Sequence, residues 1–109
     1  MGLFSRQDPD KELARTIVTR GVRVRGTIVE ARDDGERWSV TVRFAPEGAP
    51  ERTVVVGQRF APQNAVGLEA GEPVELSYDR EDPGTVLIWG NPRYRVTHHG
   101  AVVRDAREP

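Results

Sequence analysis

The chain has 109 residues, a net charge of −1 and no cysteine, and 30% of its residues are charged. A chain of this length suits one modest core, so we expect residues 1–109 to form a single domain. The near-zero charge gives no overall bias toward nucleic acid or an anionic membrane. The absence of cysteine excludes disulfides and thiolate metal sites, and a reducing cytoplasm is the simplest compartment for such a chain.

Membrane and export signals are weak in this sequence. Since no window approaches about 18 consecutive apolar residues, we expect no transmembrane helix. The N-terminal residues MGLFSRQDPDK have no long apolar segment and no small-residue cleavage site, so we expect no signal peptide. The short apolar stretch GLF leaves a peripheral membrane contact open as a lesser alternative.

The first predicted element is an amphipathic helix over residues 9–20, PDKELARTIVTR. Asp8 can cap it, Pro9 suits the first helical position, and Gly21 follows as a stop. Its apolar residues form one stripe at four-residue spacings: Leu13 with Ile17, and Ala14 with Val18. A helix this short is marginal alone in water, so it must dock on something.

From residue 22 the apolar residues alternate instead, which predicts strands. The segments VRVRGTIVE and RWSVTVRF carry their apolar residues at even positions and are joined by RDDGE. A three-residue loop over 33–35, with Gly35 in the left-handed region, would pair Ile28 with Val40 and Glu30 with Trp38. In that register the apolar residues of both strands share one face.

Three further strands follow near RTVVVGQRF, VELSYD and TVLIWG, and residues 61–73 are turn-rich with room for one short helical turn. The short connections favour an antiparallel meander over residues 22–90, closed or nearly closed into a barrel. The predicted fold is therefore mainly β, a five-stranded antiparallel barrel (SH3-like or OB-like) with an N-terminal amphipathic helix.

The last predicted strand has four apolar residues in succession, residues 86–89, so we expect both of its faces to be buried. The barrel interior takes one face, and the helix is the best candidate to cover the other. Residues 91–109 form a C-terminal extension, read either as a further hairpin or as an ordered arm with a disordered end.

No catalytic pattern is present. The sequence has no phosphate-binding glycine loop and no serine in a nucleophile motif, so we expect a non-enzyme without a cofactor. His98 and His99 are adjacent, and neighbouring strand residues point to opposite faces, so they chelate one metal poorly. We therefore predict no metal site.

A basic set is the first candidate binding surface. In the predicted register Arg25 lies opposite Arg43 and Thr27 opposite Thr41, and facing like charges are destabilising. A bound anion such as a nucleic-acid phosphate could offset this cost, as could Glu75 or Asp79 on a neighbouring strand, or solvent. The candidate anion- or nucleic-acid-binding residues are Arg23, Arg25, Arg43 and Arg52.

Two aromatic residues are the second candidate surface. Trp89 and Tyr94 flank the tripeptide GNP, and aromatic residues are enriched at protein interfaces. They form a candidate partner surface. The alternative is that Trp89 packs under the helix and Tyr94 covers the barrel end.

The segments GVRVRGTIVE, VTVRF and GLEAGEPVELSYDREDPGTVLI resemble a bacterial family of small β-barrel domains of unknown function. That family opens with a G-x-V strand and closes with a pattern matched here by Gly71, Val74, Tyr78, Asp79 and Pro83. The resemblance covers about residues 21–90 and implies the barrel fold. Many relatives are membrane-anchored, whereas this chain has a polar amphipathic helix, and the family carries no known catalytic residues to transfer.

Taken together, the sequence predicts a non-catalytic interaction module that binds a protein partner or itself. An open barrel edge and the loops APEGAPE and REDPG are the natural contact places. The alternative is anion or nucleic-acid binding through the arginine-rich barrel face.

Overall fold

The described residues form one α-helix, one short 3₁₀ turn and seven strands. The computed structural model describes residues 9–96 and 102–104. The elements are α1 (Pro9–Arg20), β1 (Gly21–Asp33), β2 (Trp38–Phe44), β3 (Arg52–Gln58), a 3₁₀ turn (Pro62–Asn64), β4 (Pro73–Asp79), β5 (Asp82–Gly90), β6 (Tyr94–Val96) and β7 (Val102–Arg104). The predicted helix over 9–20 and the short helical turn within 61–73 are confirmed.

Strands β1 to β5 form one antiparallel sheet in the order β3-β2-β1-β4-β5. The sheet curls into a nearly closed barrel, as predicted for this mainly β fold with its N-terminal helix. The expected meander is wrong, because β4 returns past β2 and β3 to pair with β1. Three hairpin-connected strands followed by a fourth that lies beside the first form a Greek key.

Strand β1 is shared between the two halves of the barrel. Residues 21–27 pair with β4, and residues 27–33 pair with β2. Gly26 lies where the partner changes, and a Cβ there would come within 2.6 Å of the Arg43 carbonyl oxygen. Only glycine lets the end of β2 pass this close to β1.

The register of β1 against β2 differs from the predicted one. Ile28 pairs with Val42 rather than Val40, and Glu30 pairs with Thr41 rather than Trp38, because β1 continues to Asp33 before the chain turns into β2. A β-bulge at Val29 shifts the pairing by one residue between these two pairs. The bulge adds one residue on β1, so the inward-facing positions change from even to odd numbers. We expected the apolar residues of β1 and β2 to share one buried face, and this is nevertheless confirmed.

The connection between β1 and β2 is also longer than the predicted three residues. It spans residues 34–37 and is closed by the Asp34 amide, which donates to the Arg37 carbonyl at 2.9 Å. Gly35 has a φ of +100°, as expected for the left-handed region.

The barrel interior is filled by side chains from all five strands and from the loop between β3 and β4. Aromatic rings cross the interior, since Phe44 stacks on Tyr78 with ring centroids 5.6 Å apart. The buried core comprises Ile28, Val40, Val42, Phe44, Val56, Leu68, Val74, Leu76, Tyr78, Val86 and Ile88. Trp38 packs against this cluster from the rim, so the inward placement predicted for Phe44 and Trp38 is confirmed.

The seam of the barrel lies between β3 and β5. The buried side chain of Gln58 spans it: its Nε2 donates to the Ile88 carbonyl, and the Ile88 amide donates to its Oε1, both at 2.9 Å. The carboxamide thus takes the place of a peptide group of a neighbouring strand. This pairing completes the barrel where the ladder of backbone hydrogen bonds is interrupted.

Helix α1 packs against the barrel through β5, β4 and β1. Ile17 is its buried contact residue, at 5% exposure. The predicted docking of the helix against β5 is therefore confirmed. The helix is not long or apolar enough to span a membrane, and neither is any other helix within the described ranges.

Strand β5 buries one face fully and the other only in part. Val86 and Ile88 point into the core, Leu87 is half-buried, and Trp89 is 42% exposed. The expectation that both faces are buried is wrong at Trp89, whose side chain is exposed to solvent.

The C-terminal extension continues into a second, two-stranded sheet. Strands β6 and β7 pair antiparallel, with Tyr94 opposite Arg104 and Val96 opposite Val102. Of the two readings of residues 91–109, this pairing agrees with the further hairpin. Residues 97–101 and 105–109 lie outside the described residues.

An ion pair joins the helix to the barrel. Arg20, the last residue of α1, donates from Nε and Nη2 to the two carboxylate oxygens of Asp79 at 2.7 and 2.9 Å. Asp79 also accepts a hydrogen bond from the Glu81 amide. The bonds from Arg20 are the main reason that the pKa of Asp79 lies below its ordinary value, although burial acts in the opposite direction.

This ion pair predicts an acid-sensitive contribution to stability. A carboxylate whose folded pKa is depressed stabilises the fold above its unfolded pKa of about 3.9, and the contribution is lost as pH falls through the folded pKa. We therefore expect Asp79→Asn to lower the melting temperature at pH 7, and expect its difference from wild type to shrink below about pH 4.

Thermal unfolding followed by circular dichroism between neutral and acidic pH measures this difference. Glu81→Gln is the control, because Glu81 lies 3.8 Å from the same guanidinium but is 73% exposed. A constant difference between Asp79→Asn and wild type across this range would contradict the role of the Asp79 carboxylate.

Candidate functional site

The structure places the four arginines of the predicted basic set on three strands. Arg23 and Arg25 lie on the outer face of β1, whereas Arg43 lies on β2 and Arg52 on β3. The predicted facing pair is wrong: Arg25 lies opposite Glu75 of β4, and Arg43 lies opposite Thr27. The different β1–β2 register and the return of β4 change both neighbours.

Acidic side chains accompany most of this set. Glu75 lies 2.9 Å from the Arg23 guanidinium and 3.9 Å from that of Arg25. Arg43 lies 3.6 Å from Glu51. The repulsion within the basic set could be offset by an anion, by an acidic side chain or by solvent. The structure shows the second of these, because Glu75 contacts both Arg23 and Arg25. Arg52 instead has its guanidinium beside Gly84 of β5, 3.4 Å from where a Cβ would stand.

The predicted aromatic pair lies at the end of β5 and the start of β6. Trp89 is one of the few large apolar side chains exposed among the described residues, yet it is held in place. Its Nε1 donates to the Ser77 hydroxyl at 2.8 Å, and the Arg23 guanidinium lies 5.0 Å from its ring centroid. A cation over an indole face is attracted to the ring. Trp89 is therefore exposed and preorganised.

Asn91, which lies between the two aromatics, fixes the chain in this region. Its buried Nδ2 donates to the Gly67 carbonyl and to Glu72, both at 2.9 Å. Its Oδ1 accepts from the Arg93 amide at 2.8 Å, and its carbonyl accepts from the Tyr94 amide at 3.1 Å. Through these hydrogen bonds, Asn91 holds the start of β6 against the loop between β3 and β4.

Gly67 lets the Tyr94 ring lie against that loop. It has a φ of +82°, and a Cβ there would come within 2.5 Å of the Tyr94 ring and 2.6 Å of the Asn91 amide nitrogen. Tyr94 thus packs on backbone that only glycine leaves open. It covers the loop between β3 and β4 rather than standing free, and remains half-buried.

Two shallow pockets share Trp89, Gly90, Asn91 and Tyr94. One holds about 140 Å³ and adds Gln63, Asn64 and Val66. The other holds about 150 Å³ and adds Arg23, Glu75 and Pro92. We call these two pockets and the residues that line them the Trp89 surface. The sequence indicated its two aromatics and, as part of the basic set, Arg23; the tripeptide GNP was the one local sign of Asn91.

A wider hollow of about 390 Å³ lies between the β1–β2 hairpin and the loop after β3. Trp38 and Phe60 form its aromatic wall, in edge-to-face contact at 6.4 Å. Both rings pack against the barrel core and are half-buried, so they serve the fold. The hollow has no exposed anchor comparable to Trp89.

The described part of the chain shows no metal site and no pair of titratable groups arranged for acid–base catalysis. No group of three histidine, cysteine or acidic side chains within residues 9–96 and 102–104 could hold a metal ion. The displaced pKa of Asp79 belongs to the ion pair with Arg20, which joins α1 to the barrel. His98 and His99 lie outside the described residues, so the expectation about them stays a prediction.

The network around Asn91 predicts a local effect of removing its side chain. Asn91→Ala leaves the Gly67 carbonyl and the Arg93 amide without their partner, so we expect a loss of about 1–2 kcal/mol in the free energy of unfolding. We also expect faster hydrogen exchange at the Arg93 amide. Denaturant unfolding and amide exchange by NMR measure the two effects.

Asn64→Ala is the control for this change, because the Asn64 side chain is exposed. It should alter stability by less than about 0.5 kcal/mol. If Arg93 exchanges at the wild-type rate in Asn91→Ala, the hydrogen bond from Arg93 is not what holds the start of β6.

Comparisons of the chain with family models, with curated proteins and with solved structures each found no match.

Proposed function

We propose that this protein is a non-catalytic binding module that contacts a protein partner, or a second copy of itself, through the Trp89 surface. The observation that carries the proposal is the state of Trp89, which is exposed by 42% while its Nε1 and one ring face are held by Ser77 and Arg23. An exposed aromatic held in one orientation binds at a small entropic cost. Tryptophan, tyrosine and arginine are the residues most enriched at binding hot spots.

Pocket size supports a macromolecular partner rather than a small metabolite. Sites for drug-sized ligands hold roughly 300–1,000 Å³. The two pockets beside Trp89 hold about 140 and 150 Å³. Each has room for one side chain or one small ring, which is how a surface receives the projecting residues of another protein.

The strand order supports an OB-like rather than an SH3-like classification of the barrel. OB folds are five-stranded, partly open Greek-key barrels, and β1 to β4 follow that connection while β3 and β5 meet at the seam. Folds of this kind serve many binding functions, so the classification alone assigns no ligand. Membership of the bacterial β-barrel family likewise stays a proposal based on the residues that resemble it.

The structure gives less support to nucleic-acid binding than to protein binding. Phosphate binding needs arginines that are free to replace counterions, whereas Arg23, Arg25 and Arg43 each lie within 4 Å of a carboxylate. These contacts favour a protein ligand over a polyanion.

A peptide selection tests the proposal. A random peptide library displayed on phage is selected on the immobilised wild-type chain alone, and the enriched peptides are then tested for binding to each variant. We expect them to bind wild type and Val55→Ala but not Trp89→Ala, since Val55 is also apolar and 67% exposed but lies on β3. Peptides that bind Trp89→Ala as well as wild type would overturn the Trp89 surface as the contact site.

Sedimentation velocity over a concentration series distinguishes a second copy from a different chain. If the partner is a second copy, wild type associates with increasing concentration and Trp89→Ala stays monomeric. A wild-type protein that stays monomeric throughout assigns the surface to a different protein.

A further inference from the structure

The backbone of β5 is already paired at one point of the barrel seam. Where β3 and β5 meet, the carboxamide of Gln58 occupies both polar groups of Ile88. Strand addition needs an edge with unpaired amides and carbonyls. A segment beside the neighbouring Trp89 therefore cannot add a strand at Ile88, and its recognition there depends on side chains.

Three polar groups at the Trp89 surface lack a hydrogen-bond partner within the described part of the chain. They are the side-chain amides of Gln63 and Asn64 and the hydroxyl of Tyr94, all lining the same pocket. The Trp89 indole and the Asn91 amide in that pocket are, by contrast, already bonded. The free groups can donate to carbonyl oxygens of a bound segment.

The charges around the surface occur in opposite pairs. Arg23 lies 2.9 Å from Glu75, and Arg93 lies 3.2 Å from Glu72. A charged ligand side chain would have to separate one of these pairs or face a charge of its own sign. The complementary segment is therefore uncharged where it contacts the pockets.

We propose that the ligand of the Trp89 surface is an uncharged, proline-rich segment in the polyproline II conformation, an inference that rests on the proposed function. Such a segment has no internal hydrogen bonds, and its carbonyls stay exposed to donors. Proline has no N–H that would need an acceptor. Its ring suits a small pocket beside an aromatic side chain, and aromatic-lined grooves are the usual receptors of this conformation.

NMR titration of the ¹⁵N-labelled full chain with acetylated deca-proline tests the inference. The chain has two tryptophans, so Trp38 gives an internal reference for the indole signal of Trp89. We expect the Trp89 indole and the side-chain amides of Gln63 and Asn64 to shift saturably, with a Kd below about 1 mM. A glycine–serine peptide of the same length should bind at least about tenfold more weakly.

Two variants keep the test informative about the site. Trp89→Ala should abolish the saturable shifts, and Tyr94→Phe, which retains the ring, should weaken binding severalfold by removing the hydroxyl donor. Equal affinity of deca-proline for wild type and Tyr94→Phe, or saturable shifts at Trp38 alone, would overturn the assigned contacts.

Other ligands define the remaining outcomes. The same titration is run with a neutral disaccharide and with single-stranded DNA. Saturable shifts at Trp89 from either one, without a response to deca-proline, overturn both the proline-rich ligand and the protein partner. If deca-proline fails while phage-selected peptides still require Trp89, the proline-rich inference fails and the proposed function stands.

Discussion

Replacing Phe44 with alanine should lower the free energy of unfolding by about 3–5 kcal/mol. The side chain is 2% exposed and stacks on Tyr78 at 5.6 Å, so its loss leaves a cavity across the barrel from β2 to β4. Tyr78 also accepts a hydrogen bond from the Glu47 amide, which links this ring pair to the β2–β3 loop. A domain with roughly 5–15 kcal/mol of stability would become marginal after such a loss.

Urea unfolding followed by circular dichroism measures this change at equilibrium. Val55→Ala removes an apolar side chain that is 67% exposed, and should change stability by less than about 0.5 kcal/mol. A destabilisation below about 1 kcal/mol for Phe44→Ala would mean that the two rings do not form the centre of the core.

Removing the carboxamide of Gln58 should open the barrel seam. Gln58→Met keeps much of the side-chain volume but leaves the amide and the carbonyl of Ile88 unpaired. Each buried backbone group left without a partner costs about 1–3 kcal/mol. We therefore expect a total loss of about 2–6 kcal/mol, together with faster hydrogen exchange at the Ile88 amide.

Gln63→Met is the control for the seam, because it makes the same replacement at an exposed glutamine. It should leave stability and the exchange of Ile88 unchanged. Wild-type protection of the Ile88 amide in Gln58→Met would show that backbone pairing, not the carboxamide, closes the barrel.

Local patterns in the sequence were enough to predict the helix, the five strands and the buried faces of most of them. Alternation at residues such as Val40, Val42 and Phe44 reports which face is buried, because it depends only on the pleat of one strand. Strand order does not follow from such patterns. The return of β4 to β1 is a long-range pairing, and the meander was the simpler solution for short connections.

The placement of the β1–β2 connection explains most of the register error. The connection spans residues 34–37 rather than 33–35, so Trp38 lies opposite Asp33 instead of Glu30, and the bulge at Val29 then shifts the pairing by one residue, to Ile28 with Val42. The predicted register placed Arg25 beside Arg43, whereas the structure places Arg43 beside Thr27 and Arg25 beside Glu75. The displaced connection thus changed the predicted chemistry of a whole face.

The two aromatics and Arg23 of the candidate site were predictable from the sequence, but their assembly into one surface was not. Trp89 and Tyr94 were recognisable as large residues flanking a turn, but the hydrogen bond to Ser77 and the contact with Arg23 depend on the positions of β4 and β1. The role of Gln58 was unpredictable for the same reason. A glutamine at the end of a strand gives no sign in the sequence that it will bond to another strand at the seam.

The most direct test of the Trp89 surface is the calorimetric affinity of one phage-selected peptide for wild type, Trp89→Ala and Val55→Ala. A hot-spot tryptophan contributes about 2 kcal/mol or more. We therefore expect Trp89→Ala to bind at least about 30-fold more weakly and Val55→Ala to bind as wild type does. Wild-type affinity in a Trp89→Ala protein that NMR shows to be folded would contradict the assignment of binding to this surface.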